Sequence, residues 1–141
     1  MKNVVIDASV AVKWFLRQAE DEDHVPEAVA VLRRIGDRTL QPIQPPHWLA
    51  EVAAVLARRY PQAAQPGIEL LVAMDIPIMT GLACYQRALF LSQNLDHHLF
   101  DTLYHATALE TGATLITADR HYWRKAGGLG HIALLHVFDL P

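Results

Sequence analysis

The chain has 141 residues, 52% of them hydrophobic and only 19% charged, which suits one compact domain with a sizeable core and excludes a disordered protein. Its single cysteine, Cys84, excludes an intramolecular disulfide, no Cys/His spacing resembles a zinc site, and no apolar run reaches the roughly eighteen residues that cross a membrane. The net charge of −3 argues against a broadly basic nucleic-acid surface, although removing the four negative charges singled out below leaves +1 for the rest. A reducing, cytoplasmic setting is expected. So is the absence of a signal peptide, because Asp7 interrupts the one apolar run near the N-terminus.

In chain order, Asn3–Ile6 reads as a short strand without polar alternation, as in a parallel sheet covered on both faces. Ala8–Leu16 reads as a helix with Val10 and Trp14, joined by Ala11 and Phe15, on its apolar side. Gln18–His24 is an acidic loop, and Pro26 opens a second helix running to about Gly36. Leu40–Ile43 is a candidate second strand. Pro45-Pro46 starts a helix that continues to Tyr60 and is stopped by Pro61, and Pro66-Gly67 and Pro77 bracket another helical segment with a weak strand at Ile76–Ile78. Helices follow over Leu82–Gln93 and Phe100–Thr111, the latter ended by Gly112. Thr114–Thr117 reads as a strand, Arg120–Lys125 as a short helix and Ile132–Val137 as a closing strand. Strands alternating with helices predict a single α/β domain over residues 1–141 with a mostly parallel sheet.

Four carboxylates punctuate these elements: Asp7, Glu51, Asp101 and Asp119. Asp7 and Asp119 each end a buried strand, the edge where open α/β sheets place ligands, and each also fits an N-cap of the helix that follows. Ser9 and Thr117, two residues away from them, fit supporting hydrogen bonds. Glu51 interrupts an apolar helical stripe beside Trp48 and Val55, so it needs a cation, a donor or a raised pKa; an arginine partner is the structural alternative. Asp101 sits in a first helical turn between core-forming aromatics, where the helix dipole alone would favour it. If the four converge, they form an all-oxygen site suited to a hard divalent cation.

The stretch Val4-Val-Ile-Asp-Ala-Ser-Val-Ala-Val-Lys-Trp-Phe15, the helical Glu51 after Pro45-Pro46, Phe100-Asp-Thr-Leu-Tyr104 and Leu115-Ile-Thr-Ala-Asp-Arg120 occur in an order that resembles the PIN-domain ribonucleases, and among them the VapC-type toxins. The resemblance covers nearly the whole chain. It implies a PIN-like three-layer α/β/α sandwich with a central, mostly parallel sheet, in which Asp7, Glu51, Asp101 and Asp119 bind Mg²⁺ or Mn²⁺ and act as the catalytic set of an endoribonuclease. It also implies a VapB-like antitoxin and homodimerisation. His121 and Tyr122 stand where some relatives carry a further acid, which leaves the number of ions open. Lys13, Arg17, Arg120, Arg124 and Lys125 are candidate RNA contacts, and Trp14 or Trp123 a stacking surface. The eight histidines show no assignable spacing; His97 and His98 are expected to face solvent. Two competing readings are a catalytically silent PIN-like binding module and an Asp7-nucleophile phosphotransfer domain. The second is weakened by the sequence Asp7-Ala8-Ser9, which lacks a second acid two residues on.

Overall fold

The computed structural model describes residues 1–17 and 19–141. Four strands, β1 (Lys2–Ile6), β2 (Leu40–Pro42), β3 (Thr114–Thr117) and β4 (Ile132–Leu134), form one wholly parallel sheet in the order β2-β1-β3-β4. Seven α-helices accompany them among the described residues: α1 (Ala8–Ala11), α2 (Val25–Gly36), α3 (Trp48–Arg59), α4 (Pro61–Ala73), α5 (Leu82–Leu95), α6 (Leu99–Thr111) and α7 (Arg120–Ala126). Helix α6 packs on β1 and β3, α2 on β2 and α7 on β4, giving an α/β sandwich. No helix of the described residues is long and apolar enough to cross a membrane.

The sheet forms because β1 and β3 carry apolar residues on both faces. Val4, Val5 and Ile6 are fully buried, with Leu115 and Ile116 beside them. Ile6 pairs with Ile116, and Thr117 with Leu134. The chain runs from β1 outward to β2, then returns to the other side of β1 for β3 and β4. The reversal of strand order therefore falls between β1 and β3, so the residues that leave these two strands, Asp7 and Asp119, emerge side by side at one crevice.

Several elements depart from the sequence expectation. The closing strand stops at Leu134 rather than Val137, because Leu134 pairs with the last residue of β3; Leu135–Val137 then coil into a 3₁₀ turn. Ile76–Ile78 contributes a single bridge, Gln44 to Ile78, with Pro77 unable to donate. Helix α4 begins at Pro61 and runs through Pro66 instead of starting after it. Pro61 occupies the first helical position, and tertiary packing offsets the bond forfeited at Pro66. Gly67 permits that packing, since a Cβ there would stand 3.1 Å from Leu56 Cδ1 and 3.5 Å from the Phe15 ring. The first helix is α-helical only over Ala8–Ala11 and tightens to 3₁₀ through Phe15. Of the acidic loop, Gln18 lies outside the described residues; Glu22 is pinned by Lys13.

Candidate active site

Asp7 caps α1, accepting through Oδ2 from the Ser9 N–H at 3.0 Å and from the Ser9 hydroxyl. The Ser9 Oγ in turn accepts from the Ala118 N–H at 3.0 Å, tying the end of β3 to the end of β1. Asp119 caps α7: its Oδ1 accepts from the Tyr122 N–H at 3.0 Å, while its own N–H donates to Thr117 Oγ1 at 3.1 Å. Ser9 and Thr117 thus orient the two strand-end acids. Capping and site formation are compatible here, because each cap engages one carboxylate oxygen of Asp7 or Asp119 and leaves the other for the crevice.

Glu51 and Asp101 reach the crevice from the first turns of α3 and α6. Asp7, Glu51, Asp101 and Asp119 line one groove of about 410 Å³ with Ser9, Lys13, Glu22, Arg58 and Arg59. The four acids do converge. Their crowding has an electrostatic signature: burial first, then the charges of Asp101 and Glu51, push the Asp7 carboxyl up to about 7 against the lowering effect of Ser9. Two buried phenols, Tyr104 and Tyr122, are also raised, mainly by burial and then by the neighbouring acids.

Among the described residues no arginine partners Glu51. The His47 Nε2 stands 3.1 Å from Glu51 Oε1 and donates to the Phe100 carbonyl at 2.7 Å. Glu51 Oε1, His47 Nδ1 and Tyr104 Oη are buried without hydrogen-bond partners. His97, expected in solvent, is instead 6% exposed at its side chain, and its Nε2 lies 2.8 Å from Asp101 Oδ2. It opens onto a second, outer groove of about 800 Å³ that shares Asp101 and Asp119 with the first and adds His98, His121 and Lys125. The sequence does carry a signal for both histidines: each stands four residues before an acid. Gln44 was likewise not singled out. Its side chain is fully buried and pairs with both backbone groups of Ile6, accepting at 2.7 Å and donating at 2.8 Å, which fixes the residue that precedes Asp7.

The basic candidates scatter. Lys13 must be set aside as an RNA contact, because its buried ammonium is bonded to Glu22 and to the Asp23 carbonyl, both at 2.6 Å. Arg17 is exposed but lines a separate apolar groove beside Trp14, Phe15 and Leu32. Arg120 and Arg124 are exposed on α7. Lys125 reaches the outer groove and donates to the Asp96 carbonyl at 2.9 Å. Arg58 and Arg59, on α3, supply the inner groove's other cations, with Arg59 3.6 Å from Glu22. Trp14 is core, its indole N–H bonded to the Ala28 carbonyl, whereas Trp123 is 39% exposed.

A family model for the PIN domain matches residues 4–129. No curated protein sequence matches the chain. Among solved structures, the chain is similar to a toxin-antitoxin complex from Klebsiella pneumoniae, with a TM-score of 0.68 and 16% identity, covering 94% of this chain and 97% of that one. It is also similar to VapBC2 from Rickettsia felis bound to a DNA fragment from their promoter, with a TM-score of 0.64, 14% identity, and coverage of 94% and 96%. At these identities the likeness is one of fold.

Proposed function

The chain belongs to the PIN domain family, and from that premise we propose that it is a metal-dependent endoribonuclease, the toxin of a toxin–antitoxin pair. One observation carries the reading: four acids from four separate elements line a single groove at the strand-order reversal of the sheet. The donor set fits a hard divalent cation, Mg²⁺ or Mn²⁺. It is all carboxylate, one of its oxygens is buried and unpaired, and Asp7 carries a pKa that like charges help to raise. Asp7, Asp101 and Asp119 would hold the ion or ions, with Glu51 as a further ligand or as the base that orients water. Such an ion supplies Lewis acidity and charge neutralisation at a scissile phosphate. The chain's own residues do the positioning: Ser9 and Thr117 fix Asp7 and Asp119, and Gln44 fixes Ile6, the end of the strand that leads into Asp7. Arg58, Arg120 and Lys125 supply cations along the path of an RNA backbone, for which tRNA and rRNA are the substrates to test.

The toxin reading draws on the two neighbours, which are described as a toxin-antitoxin complex and as VapBC2 with promoter DNA. A VapB-like antitoxin would occupy the apolar groove of about 630 Å³ lined by Trp14, Phe15, Leu32, Ile35, Leu71 and Met74. Exposed Leu82, Leu89 and Phe90 on α5 suit a homodimer contact. The toxin reading places the protein in the cytoplasm, acting as one domain.

The test is cleavage of pooled tRNA and rRNA with Mg²⁺ or Mn²⁺ by wild type and by Asp101→Asn prepared identically. Discrete fragments from wild type only, abolished by chelation, support the proposal. Equal fragments from both proteins, or none from folded wild type across the pool, count against it and favour a silent binding module.

A further inference from the structure

Resting on the carboxylate centre proposed above, we infer that His97 is a metal ligand, which converts the outer side of that centre into a mixed nitrogen–oxygen position selecting a borderline first-row ion over Mg²⁺. Three observations carry this. First, one ligand atom from each of His97, Asp101 and Asp119 lies within 4.8 Å of the others, although the residues come from the α5–α6 loop, α6 and the end of β3. Second, His97 Nε2 and Asp101 Oδ2 are 2.8 Å apart, close to the roughly 3 Å that separates two neighbouring ligands bound to one ion at about 2.1 Å. Third, the imidazole is held rather than loose. Its side chain is 6% exposed, and its ring meets Tyr122 edge-on at 4.8 Å between centroids.

The same Tyr122 donates its backbone N–H to Asp119 Oδ1, so one residue holds both the histidine and an acid of the position. Around it the outer groove widens to His98, His121 and Lys125, a nitrogen-rich wall facing the oxygen-rich inner groove across Asp101 and Asp119. The chemistry then follows from donor type. Mg²⁺ takes oxygen ligands and gains little from imidazole, whereas Mn²⁺ and the later first-row ions bind imidazole increasingly well. Asp7 and Glu51 alone would not discriminate in this way. His97 is the specificity-determining residue.

The decisive experiment is Mn²⁺ binding to tag-free protein, followed by electron paramagnetic resonance, with pulsed measurement of nitrogen hyperfine coupling, in wild type, His97→Gln and Asp101→Asn. The expected result is Mn²⁺ bound to wild type with nitrogen coupling. In His97→Gln the coupling should vanish and Mn²⁺ affinity should fall about tenfold or more while Mg²⁺ affinity hardly changes, so that Mg²⁺ displaces Mn²⁺ at a correspondingly lower concentration. Mn²⁺ bound to wild type without nitrogen coupling, or coupling that persists in His97→Gln, overturns the inference. Mn²⁺ binding that survives His97→Gln unweakened but is lost in Asp101→Asn overturns it while leaving the carboxylate centre intact. Failure of Mn²⁺ to bind wild type overturns both. If His97→Gln fails to fold, His97→Asn takes its place, and nitrogen coupling that persists there overturns the inference.

Discussion

Gln44 and Glu51 stand seven residues apart in sequence and serve the same edge of the sheet, yet their polar atoms fare oppositely. Gln44 is fully buried, and both ends of its amide are bonded to Ile6. Glu51 is partly exposed, and its buried Oε1 has no hydrogen-bond partner. Two histidines repeat the contrast. His105 is fully buried, accepts from the Tyr122 hydroxyl through Nδ1 at 2.9 Å and donates from Nε2 to the Gly130 carbonyl at 2.8 Å. His47 keeps a buried Nδ1 without a partner. Glu51 Oε1, His47 Nδ1 and Tyr104 Oη lack partners around the crevice, although Trp48 Nε1 in the core and Glu27 Oε2 on α2 lack them too. Buried groups left unpaired beside a groove are the ones a ligand can meet, which is what sets the crevice trio apart.

The sharpest way to break this comparison is Asp101→Asn. It should lower RNA cleavage by on the order of a thousandfold, roughly 4 kcal/mol of barrier, while thermal unfolding shows stability equal to or above wild type. If activity and stability fell together, the acid would belong to the scaffold. Gln44→Ala should do the reverse. Leaving the Ile6 N–H and C=O unpaired in a dry interior should cost about 3 kcal/mol in denaturant unfolding, and any loss of cleavage should track the folded fraction.

A smaller effect separates the two networks by pH. In metal-free protein the folded state holds a proton on Asp7 up to about pH 7, whereas the unfolded chain releases it near 3.8. The folded state therefore binds more protons over that window, and Asp7's contribution to stability declines as pH rises through it. Asp7→Asn should raise the melting temperature by several degrees at pH 8 and barely change it at pH 4. His105 runs the other way. Burial holds its pKa below 6.5, so the unfolded chain takes up the proton first and stability falls as pH drops below that value. In the Asp7→Asn background, melting temperature should therefore increase with pH between 5 and 7. A flat profile would refute the assignment. The smallest expected change is Lys125→Glu on the rim of the outer groove: stability within about 0.5 kcal/mol of wild type, with weaker RNA binding and a shallower salt dependence in filter-binding assays.

The sequence made the four acids legible because each breaks a pattern: a charge at the end of an apolar strand, or inside an apolar helical stripe. Strands β1 and β3, the helices around Asp101 and Asp119 and the stop at Gly112 followed from short-range periodicity and capping. Other features depended on long-range partners. Gln44 acts on a residue 38 positions away, and His47 on a carbonyl 53 positions away. Lys13 looked available to substrate because nothing local shows that Glu22 will fold back onto it. Helix α4 runs through Pro66 because tertiary packing outweighs the local breaker, and β4 is short because its partner strand ends. His47 and His97 are a different case, since both precede an acid by four residues and that regularity was visible.

The Ser9 hydroxyl joins Asp7 to the Ala118 N–H across 109 residues, and β1 finds its central partner only in β3. Pairing of parallel strands so distant along the chain is slow, because a long loop must be ordered before any contact rewards it. During translation the ribosome releases Asp7 first, but the groove has no second wall until β3 and the start of α7 have emerged. A nascent or truncated chain therefore carries only one wall of the acidic groove. Emergence of β3 and the start of α7, rather than the appearance of any one acid, is the step that assembles it.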